Sequence, residues 1–477
     1  FVLMYVNGRR FSLRGETVFS TLSDFLRHEL QLVGTKVVCA EGDCGACTVL
    51  VGRLDGNKLR YDTVDSCIQF LYQLDGKHVV TVEGLKRNEC LHPVQQALVD
   101  CHGSQCGFCT PGFVMALTGL FEEKKQISLN EMRLSLTGNL CRCTGYVQIL
   151  EAGDSLNGPA WKGMAELYPS REIIEDLRQH SRDPVLVGAE MAGSGPGSKP
   201  RIVFIPRRLE EALEFKASHP EAVIVSGATE VGVWHNKKAI VPSTILNLRD
   251  IPGLDEINST DHTLAIGANA TWTQIEAFAK TGLPEFFPII IRFGSPQIRN
   301  VATMAANVAN GSPIADALPF LSITNAEVEM AGKNGRRRVN INQFYPGYKS
   351  TDLRQDEIIT NIFIPLPAPD ELLKLYKVSK RNDLDIATFG AGIRIKKSGD
   401  IITRAFVAYG GVAPTVIRLP NTETFLQGKR FAEETFTRAG EVARLEINPI
   451  ADVRGSRDFR LQLAENILLK FYFDCCP

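Results

Sequence analysis

Eight of the twelve cysteines in this chain fall into two sets of four. Cys39, Cys44 and Cys47 follow the spacing C-x4-C-x2-C, with Cys67 as a distant fourth, which is the pattern of a plant-type 2Fe–2S ferredoxin loop. The second set joins Cys106 and Cys109, a C-x2-C pair, to Cys141 and Cys143, a C-x-C pair. Soft thiolates select iron–sulfur clusters, zinc or Cu(I) over harder ions. In the first set Gly42 and Gly45 permit the dihedrals and close backbone approach that a loop wrapped on a cluster requires. Backbone N–H groups of such a loop can then point at the sulfurs and tune the potential of an anionic cluster. In the second set Arg142 lies between two of the ligands, where its charge offsets part of that of a cluster.

Structural zinc and disulfides are the alternatives. The first set, with a four-residue gap and no histidine, is not a usual zinc spacing. The second, taken alone, suits zinc as well as iron and sulfur. Disulfides are disfavoured, because 12 cysteines in 477 residues is far below the density of a disulfide scaffold. No secretory signal is visible, since the apolar run Phe1–Val6 leads into Asn7-Gly8, a hairpin turn. Cys90, Cys101, Cys475 and Cys476 read as buried or tail thiols. Two four-thiolate sites imply that electrons move through the protein.

The bulk composition is that of an ordinary globular protein, with 44% apolar and 22% charged residues and room for about three domains. A formal net charge of -1 gives no electrostatic case for nucleic acid or an anionic membrane. The one basic run, residues 333–338, carries Asn334-Gly335 between strand-like flanks and reads as a solvated hairpin. No apolar stretch reaches membrane-spanning length. Thiolate clusters and the missing signal favour the cytoplasm.

Periodicity divides the chain into multidomain α+β parts. Residues 1–84 read as short strands around one amphipathic helix, Thr21–Leu30, a β-grasp ferredoxin domain with the first cysteine loop at its rim. Residues 85–153 turn helical, with segments 93–99, 111–121, 130–136 and 144–152, an all-α four-helix domain carrying the second set on its turns. Residues 154–200 lose periodicity and end in Gly193–Pro200, of linker composition. Residues 201–368 and 369–477 form two further α+β domains, the latter with helices on one face of an antiparallel sheet.

In the third domain the strand Ala222–Val225 runs into Ser226, Gly227, Ala228, Thr229 and Glu230. Small residues at such a junction expose successive N–H groups that can form an anion nest for a pyrophosphate, although an ordinary tight turn has the same composition. The absence of G-x-G-x-x-G argues against a Rossmann domain. A second Gly/Pro-containing turn is expected at Asn307–Asp316.

Three segments, 41–48, 102–112 and 138–146, closely resemble the cluster segments of the molybdenum hydroxylase (xanthine oxidase) family. The remainder resembles that family's FAD-binding portion, through 226–230, Phe293, 307–316 and 377–381, so the likeness covers nearly the whole chain. Both cluster types and a flavin domain in one chain is the arrangement of the small subunit of bacterial xanthine dehydrogenases. The resemblance implies 2Fe–2S at both cysteine sets, a PCMH/VAO-like α+β FAD-binding domain at 201–368 and a C-terminal flavoprotein domain at 369–477. It implies FAD contacts at Ile224, Val225, Ser226, Gly227, Ala228, Thr229, Glu230 and Val231, beside the ring at Phe293, and at Thr303, Asn307, Asp316, Ile359 and Lys377. It places Gln105 against a molybdopterin held by a large partner subunit, and Tyr348 with Asp383-Leu384-Asp385 near the entrance for NAD.

The implied activity is electron transfer from molybdopterin through the cluster of Cys106, then that of Cys39, to FAD and finally NAD, in a cytoplasmic α2β2 heterotetramer that oxidises hypoxanthine or xanthine to urate. The same relay could serve an aldehyde or other N-heterocycle hydroxylase. A cluster- and flavin-bearing sensor without turnover, or a zinc scaffold, would be a different class. Ala305-Ala306 stands where relatives have Gly-Gly and Ala228 where they have Gly or Asn; extra methyl groups there are expected to crowd tight flavin-binding turns. Ser350 replaces a basic residue near the NAD path.

Overall fold

The computed structural model describes residues 1–158, 162–168, 171–189 and 200–476. They form two compact units, one of Phe1–Pro252 with Gly294–Ala302, the other of Gly253–Phe293 with Thr303–Pro477. Among the described residues no helix is long and apolar enough to cross a membrane.

The first unit begins with strands β1 (Val2–Val6), β2 (Arg9–Leu13), β3 (Thr48–Asp55), β4 (Lys58–Asp65) and β5 (Lys77–Val80), in sheet order β2-β1-β5-β3-β4. Only β1 and β5 run parallel, and β1 and β2 close on Asn7 and Gly8, both at positive φ as a primed turn demands. Leu22, Phe25 and Leu26 cover one sheet face, packing with Val2, Met4 and Val6. The expected helix is there, but it is short (Leu22–Asp24) and widens into a π-turn over Phe25–Glu29.

All five residues of β1 are buried, which needs a cover on the other face as well. Helix Arg171–His180 supplies it: Ile173 and Leu177 pack on Leu3 and Tyr5, and Asp176 accepts from the Tyr5 hydroxyl at 2.7 Å. The segment 154–200, expected as a linker that loses periodicity, thus holds a helix, and it also contains strand β6 (Val185–Ala189). Ile173, Ile174 and Leu177 form a short apolar stripe in an otherwise charged helix, too brief to stand out in sequence. Residues 193–199 of the expected Gly/Ser/Pro linker lie outside the described residues.

Helices Pro93–Asp100, Thr110–Glu123, Leu129–Ser135 and Val147–Asp154 make the helical part. The second is buried along Gly112–Gly119, and Gly119 lies so close to Thr63 of β4 that a Cβ there would stand 2.6 Å from its methyl group. The unit is completed by β6, β7 (Arg201–Ile205), β8 (Val223–Val225) and β9 (Thr244–Asn247), ordered β6-β7-β9-β8 with β7, β8 and β9 parallel.

The second unit has two antiparallel sheets. One is β10 (Ile257–Ser259), β11 (Thr263–Gly267), β12 (Glu327–Gly332), β13 (Gly335–Asn340) and β14 (Ile358–Pro365), ordered β10-β11-β14-β12-β13. The basic run is the β12–β13 hairpin, yet its arginines are paired: Arg336 and Arg338 with Glu329, Arg337 with Asp352 and Glu357. The other sheet is β15 (Glu371–Val378), β16 (Phe389–Ser398), β17 (Ile401–Gly410) and β18 (Ile417–Arg418), and helices Glu433–Glu446 and Arg457–Cys475 share its core.

Two consequences can be measured. Leu177→Ala removes a fully buried side chain from the cover over β1 and should lower unfolding free energy by about 2–5 kcal/mol in urea titrations; an unchanged midpoint would contradict this packing. His78 is fully buried, with Nε2 accepting from Gly8 N–H at 3.1 Å, so its neutral form carries the proton on Nδ1, 2.7 Å from the Tyr61 hydroxyl. Burial, then the charge of Arg87, push this imidazole down to about 4. The folded state therefore takes up that proton later than the unfolded chain does. The stability from a neutral His78 is complete above pH 6.5 and declines as pH falls toward 4, at no more than about 1.4 kcal/mol per pH unit. An NMR titration midpoint for His78 at 6 or above would show the environment to be wrong.

Candidate thiolate and flavin-binding sites

The first cysteine loop is built on left-handed turns. Ala40, Gly42 and Gly45 have φ of 54°, 79° and 66°, conformations costly for all but glycine. A Cβ on Gly45 would lie 2.2 Å from the carbonyl oxygen of Gly138, so glycine is obligatory there. Cys47 and Cys67 are buried, and Cys39 and Cys44 are partly exposed. Cys39 Sγ accepts from the Asp43 N–H at 3.4 Å and from the thiols of Cys44 and Cys67, and Cys67 also meets Cys47. Hydrogen bonds from Cys44, then Cys67, hold the Cys39 thiol far below its usual range, while both donors are pushed up.

The second set lies on two turns. Cys109 precedes helix Thr110–Glu123, and Cys141 and Cys143 precede helix Val147–Asp154. The sulfurs meet in pairs, Cys106 with Cys143 and Cys109 with Cys141. The Phe108 N–H, then the Cys143 thiol, lower the pKa of Cys106; burial, then Cys141, push Cys109 up to about 12. Thr144 Oγ1 lies 3.2 Å from Cys141 Sγ, and the Cys141 N–H donates to the Tyr146 hydroxyl at 2.9 Å.

All twelve cysteines are free thiols, so no disulfide competes for them. Among the described residues no three or more His, Cys, Asp or Glu side chains are placed to hold a single metal ion. Four thiols gathered in each set, with backbone N–H groups directed at Cys39 and Cys106, fit a cluster in which each of two irons takes two thiolates.

The two sets are fastened together by groups with no motif of their own. The Leu140 N–H donates to the Cys44 carbonyl at 3.0 Å, and Asn139 Nδ2 donates to the Gly45 carbonyl at 3.0 Å. Gln297 Nε2 reaches both Asn139 Oδ1, at 2.8 Å, and Thr48 Oγ1, at 3.1 Å. Asp65 is also buried beside Cys47 Sγ, at 3.6 Å, and burial, then the charge of Cys39, push it up to about 7. Sequence reasoning missed Asn139, Gln297 and Asp65; Asn139 sits inside a quoted motif, but the others had no signal.

The flavin-related residues are found in both units. In the first, Ile224 and Val225 lie in β8, Ser226 and Gly227 form the turn, and Ala228 takes φ of 51° before helix Thr229–Lys238. Strand end, left-handed residue and helix start thus follow in succession, the order in which first-turn N–H groups face an anion. Gly227 has no alternative, because a Cβ would sit 2.2 Å from the Val301 carbonyl. The Ser226 carbonyl accepts from Gln73 Nε2 at 3.0 Å. Glu230 Oε1 accepts from Trp234 Nε1 at 3.2 Å, and Val231 is buried.

In the second unit, Thr303 caps helix Met304–Asn310 by accepting from the Ala306 N–H at 3.2 Å. Asn307 is therefore helical, not the start of a turn, and Ala305-Ala306 occupy the same helix, where methyl groups are favourable rather than crowding. Asn307 Oδ1 is buried with no hydrogen-bond partner, an acceptor that a ligand amide or hydroxyl would satisfy. Lys377 Nζ donates to Asp316 at 2.6 Å and to the Arg292 carbonyl at 2.9 Å. Phe293 packs 4.6 Å from the Trp272 ring, and Ile359 is buried in β14. Tyr348 is 63% exposed and is not brought into this cluster; Asp385 accepts from the Arg381 N–H within its own loop, and Ser350 lies in an exposed turn. In the first unit Gln105 is exposed. Taken by itself, the glycine-only turn at Gly227 in the first unit fits a pyrophosphate, and in the second unit the unpartnered Asn307 oxygen fits a ligand donor.

Comparison with known proteins agrees along the chain. Family models match at residues 4–68 (2Fe-2S iron-sulfur cluster binding domain), 81–154 (2Fe-2S binding domain), 198–367 (FAD binding domain in molybdopterin dehydrogenase) and 374–474 (CO dehydrogenase flavoprotein C-terminal domain). The chain therefore contains two 2Fe–2S domains and an FAD-binding domain, and it belongs to the molybdenum hydroxylase family of oxidoreductases. It is 32% identical to xanthine dehydrogenase of Emericella nidulans over 99% of its own length and 38% of that protein's. It is 31% identical to aldehyde oxidase 1 of Bos taurus, over 99% of this chain and 39% of that one. The chain thus spans about two fifths of these relatives. Quinoline 2-oxidoreductase from Pseudomonas putida 86 superposes with a TM-score of 0.53 and 26% identity, over 57% of this chain and 94% of that one. A carbon monoxide dehydrogenase of Hydrogenophaga pseudoflava, at TM-score 0.55 and 24% identity over 58% and 98%, shares the fold.

Gly227→Ala tests the turn. Its methyl group meets backbone rather than a movable side chain, so the variant should lose about 1–3 kcal/mol of stability and most of its flavin while keeping its iron. The flavin-to-iron ratio of purified protein checks this, and an unaltered ratio would remove Gly227 from the site.

Proposed function

We propose that this chain is the electron-transfer part of a molybdenum hydroxylase, carrying electrons from molybdopterin on a partner subunit through two 2Fe–2S clusters to FAD and then to NAD. The observation that supports this most directly is the fastening of the two thiolate sets to each other through Leu140 and Cys44. When bound, the clusters supply one-electron exchange and the flavin two-electron exchange. Cys39, Cys44, Cys47 and Cys67 would hold one cluster and Cys106, Cys109, Cys141 and Cys143 the other, with Gln105 facing the pterin. Residues 224–231 would bind the flavin pyrophosphate; Phe293, Thr303, Asn307, Asp316, Ile359 and Lys377 would complete the flavin contacts. Tyr348 and the segment Asp383–Asp385 would stand near NAD.

Hypoxanthine and xanthine, oxidised to urate, are the substrates we favour, on the strength of the xanthine dehydrogenase relatives. An aldehyde is the second reading, because an aldehyde oxidase matches at 31% identity. Two copies each of this chain and a molybdopterin-binding subunit would make the working enzyme, and labile thiolate clusters suit a reducing cytoplasm.

Metal analysis should return about four irons per chain and no stoichiometric zinc. Cys44→Ser should abolish one of two electron paramagnetic resonance signals and block substrate-driven electron transfer to NAD, leaving the second signal in place. Zinc in place of iron, or both signals surviving, would overturn the ligand assignment. Absence of both FAD and NADH:dye reductase activity in the intact protein would favour a sensor.

A further inference from the structure

Helix Thr229–Lys238 starts at the candidate pyrophosphate turn and, at ten residues, spans about 15 Å. Gly232, His235 and Asn236 are three and four residues apart and so share one face. That face lies on the segment carrying Cys67. A Cβ on Gly232 would stand 2.6 Å from Ile68 Cβ and 2.7 Å from the Ile68 carbonyl, and His235 meets the Phe70 ring edge-on at 5.4 Å. Asn236 then uses its side-chain amide twice: Nδ2 donates to the Ala40 carbonyl at 3.0 Å and to the Cys67 carbonyl at 2.8 Å. One acceptor belongs to a ligand cysteine and the other to the residue after a ligand cysteine. Ala40 is also in the left-handed region, at φ 54°, where a residue with a Cβ stays only when its neighbours hold it.

We propose that Asn236 is a positioning residue for the first thiolate set: from the helix that follows the flavin turn, it clamps the two separate segments that supply Cys39 and Cys67 and raises the reduction potential there. This rests on reading that set as a 2Fe–2S site. Each N–H of the amide neutralises the negative end of a carbonyl dipole close to the sulfurs. Without the amide, both oxygens face an anionic centre uncompensated, and adding an electron becomes less favourable. Lys237, 3.8 Å from Glu41, contributes little, since both side chains are more than two-fifths exposed.

The test is a redox titration of the intact enzyme followed by electron paramagnetic resonance, with the first-set signal identified through Cys44→Ser. Asn236→Leu keeps the branched heavy-atom shape and removes both donors. It should shift the first-set reduction equilibrium roughly threefold to tenfold toward the oxidised form, a tenfold shift being about 59 mV for one electron. Asn236→Asp, which sets a carboxylate against the same two carbonyls, should shift it further in the same direction. The second-set potential and the iron content should stay within error of the parent in Asn236→Leu, whereas a merely structural residue would lower the melting temperature without moving the first-set potential alone. An unchanged first-set potential in Asn236→Leu, or equal shifts at both sets, would overturn the proposal and leave the proposed function standing. A parent protein lacking two cluster signals would overturn both.

Discussion

The carbonyl oxygen of Gly45 is the point on which the electron-carrying half of this protein depends. It accepts from Asn139 Nδ2 at 3.0 Å, from Thr48 Oγ1 at 2.6 Å and from the Thr48 N–H at 3.1 Å. Gly112 lies so near that a Cβ would come within 2.2 Å of the same oxygen. A loop from the ferredoxin sheet, a turn from the helical domain and the helix starting at Thr110 therefore meet at this oxygen, with glycine at the two closest backbone approaches. Substituting any of these glycines would force backbone away from backbone, where nothing can yield cheaply. The short separation of two thiolate sets follows from that packing rather than from the cysteines.

Two of the left-handed non-glycine residues lie in the candidate site loops. Ala228 and Ala40 both hold left-handed conformations that would suit glycine, and both are held by a neighbouring contact. Ala228 leads directly into a helix whose Gly232 is pressed against Ile68. Ala40 is held through Asn236. The methyl groups cost little in space but require the surroundings to over-determine the turn. In the second unit Met304–Asn310 is an ordinary helix capped by Thr303, and it carries an unpartnered amide oxygen on Asn307.

Charge is handled by pairing rather than by exposure. Asp75, fully buried, accepts from the Leu3 N–H and from His180 at 2.9 and 2.7 Å, and from Arg207. Burial alone would raise its pKa, but His180 and Arg207 hold it below the ordinary carboxylate range. That network ties β5's approach, helix Arg171–His180 and the segment after β7 into one body. The arginine-rich hairpin of β12 and β13 is neutralised in the same way.

The sequence by itself determined the grouping of the cysteines into two thiolate sets, the helices of residues 93–154, the strand and turn at 222–230 and the α+β character of the last hundred residues. Each of these is encoded by spacing over a few residues: ligand gaps, helical or alternating periodicity, and glycines where φ must be positive. Only the tertiary structure decided that Arg171–His180 roofs β1, that Asn307 is helical, and that Asn139, Gln297, Asp65 and Asn236 surround the cysteine loops. These residues act through single hydrogen bonds to partners distant in the chain, Gln297 with Thr48 and Asn236 with Ala40 and Cys67 among them. Such a bond leaves no periodic trace at either end, because its geometry exists only once both segments have been brought together by the burial of other side chains.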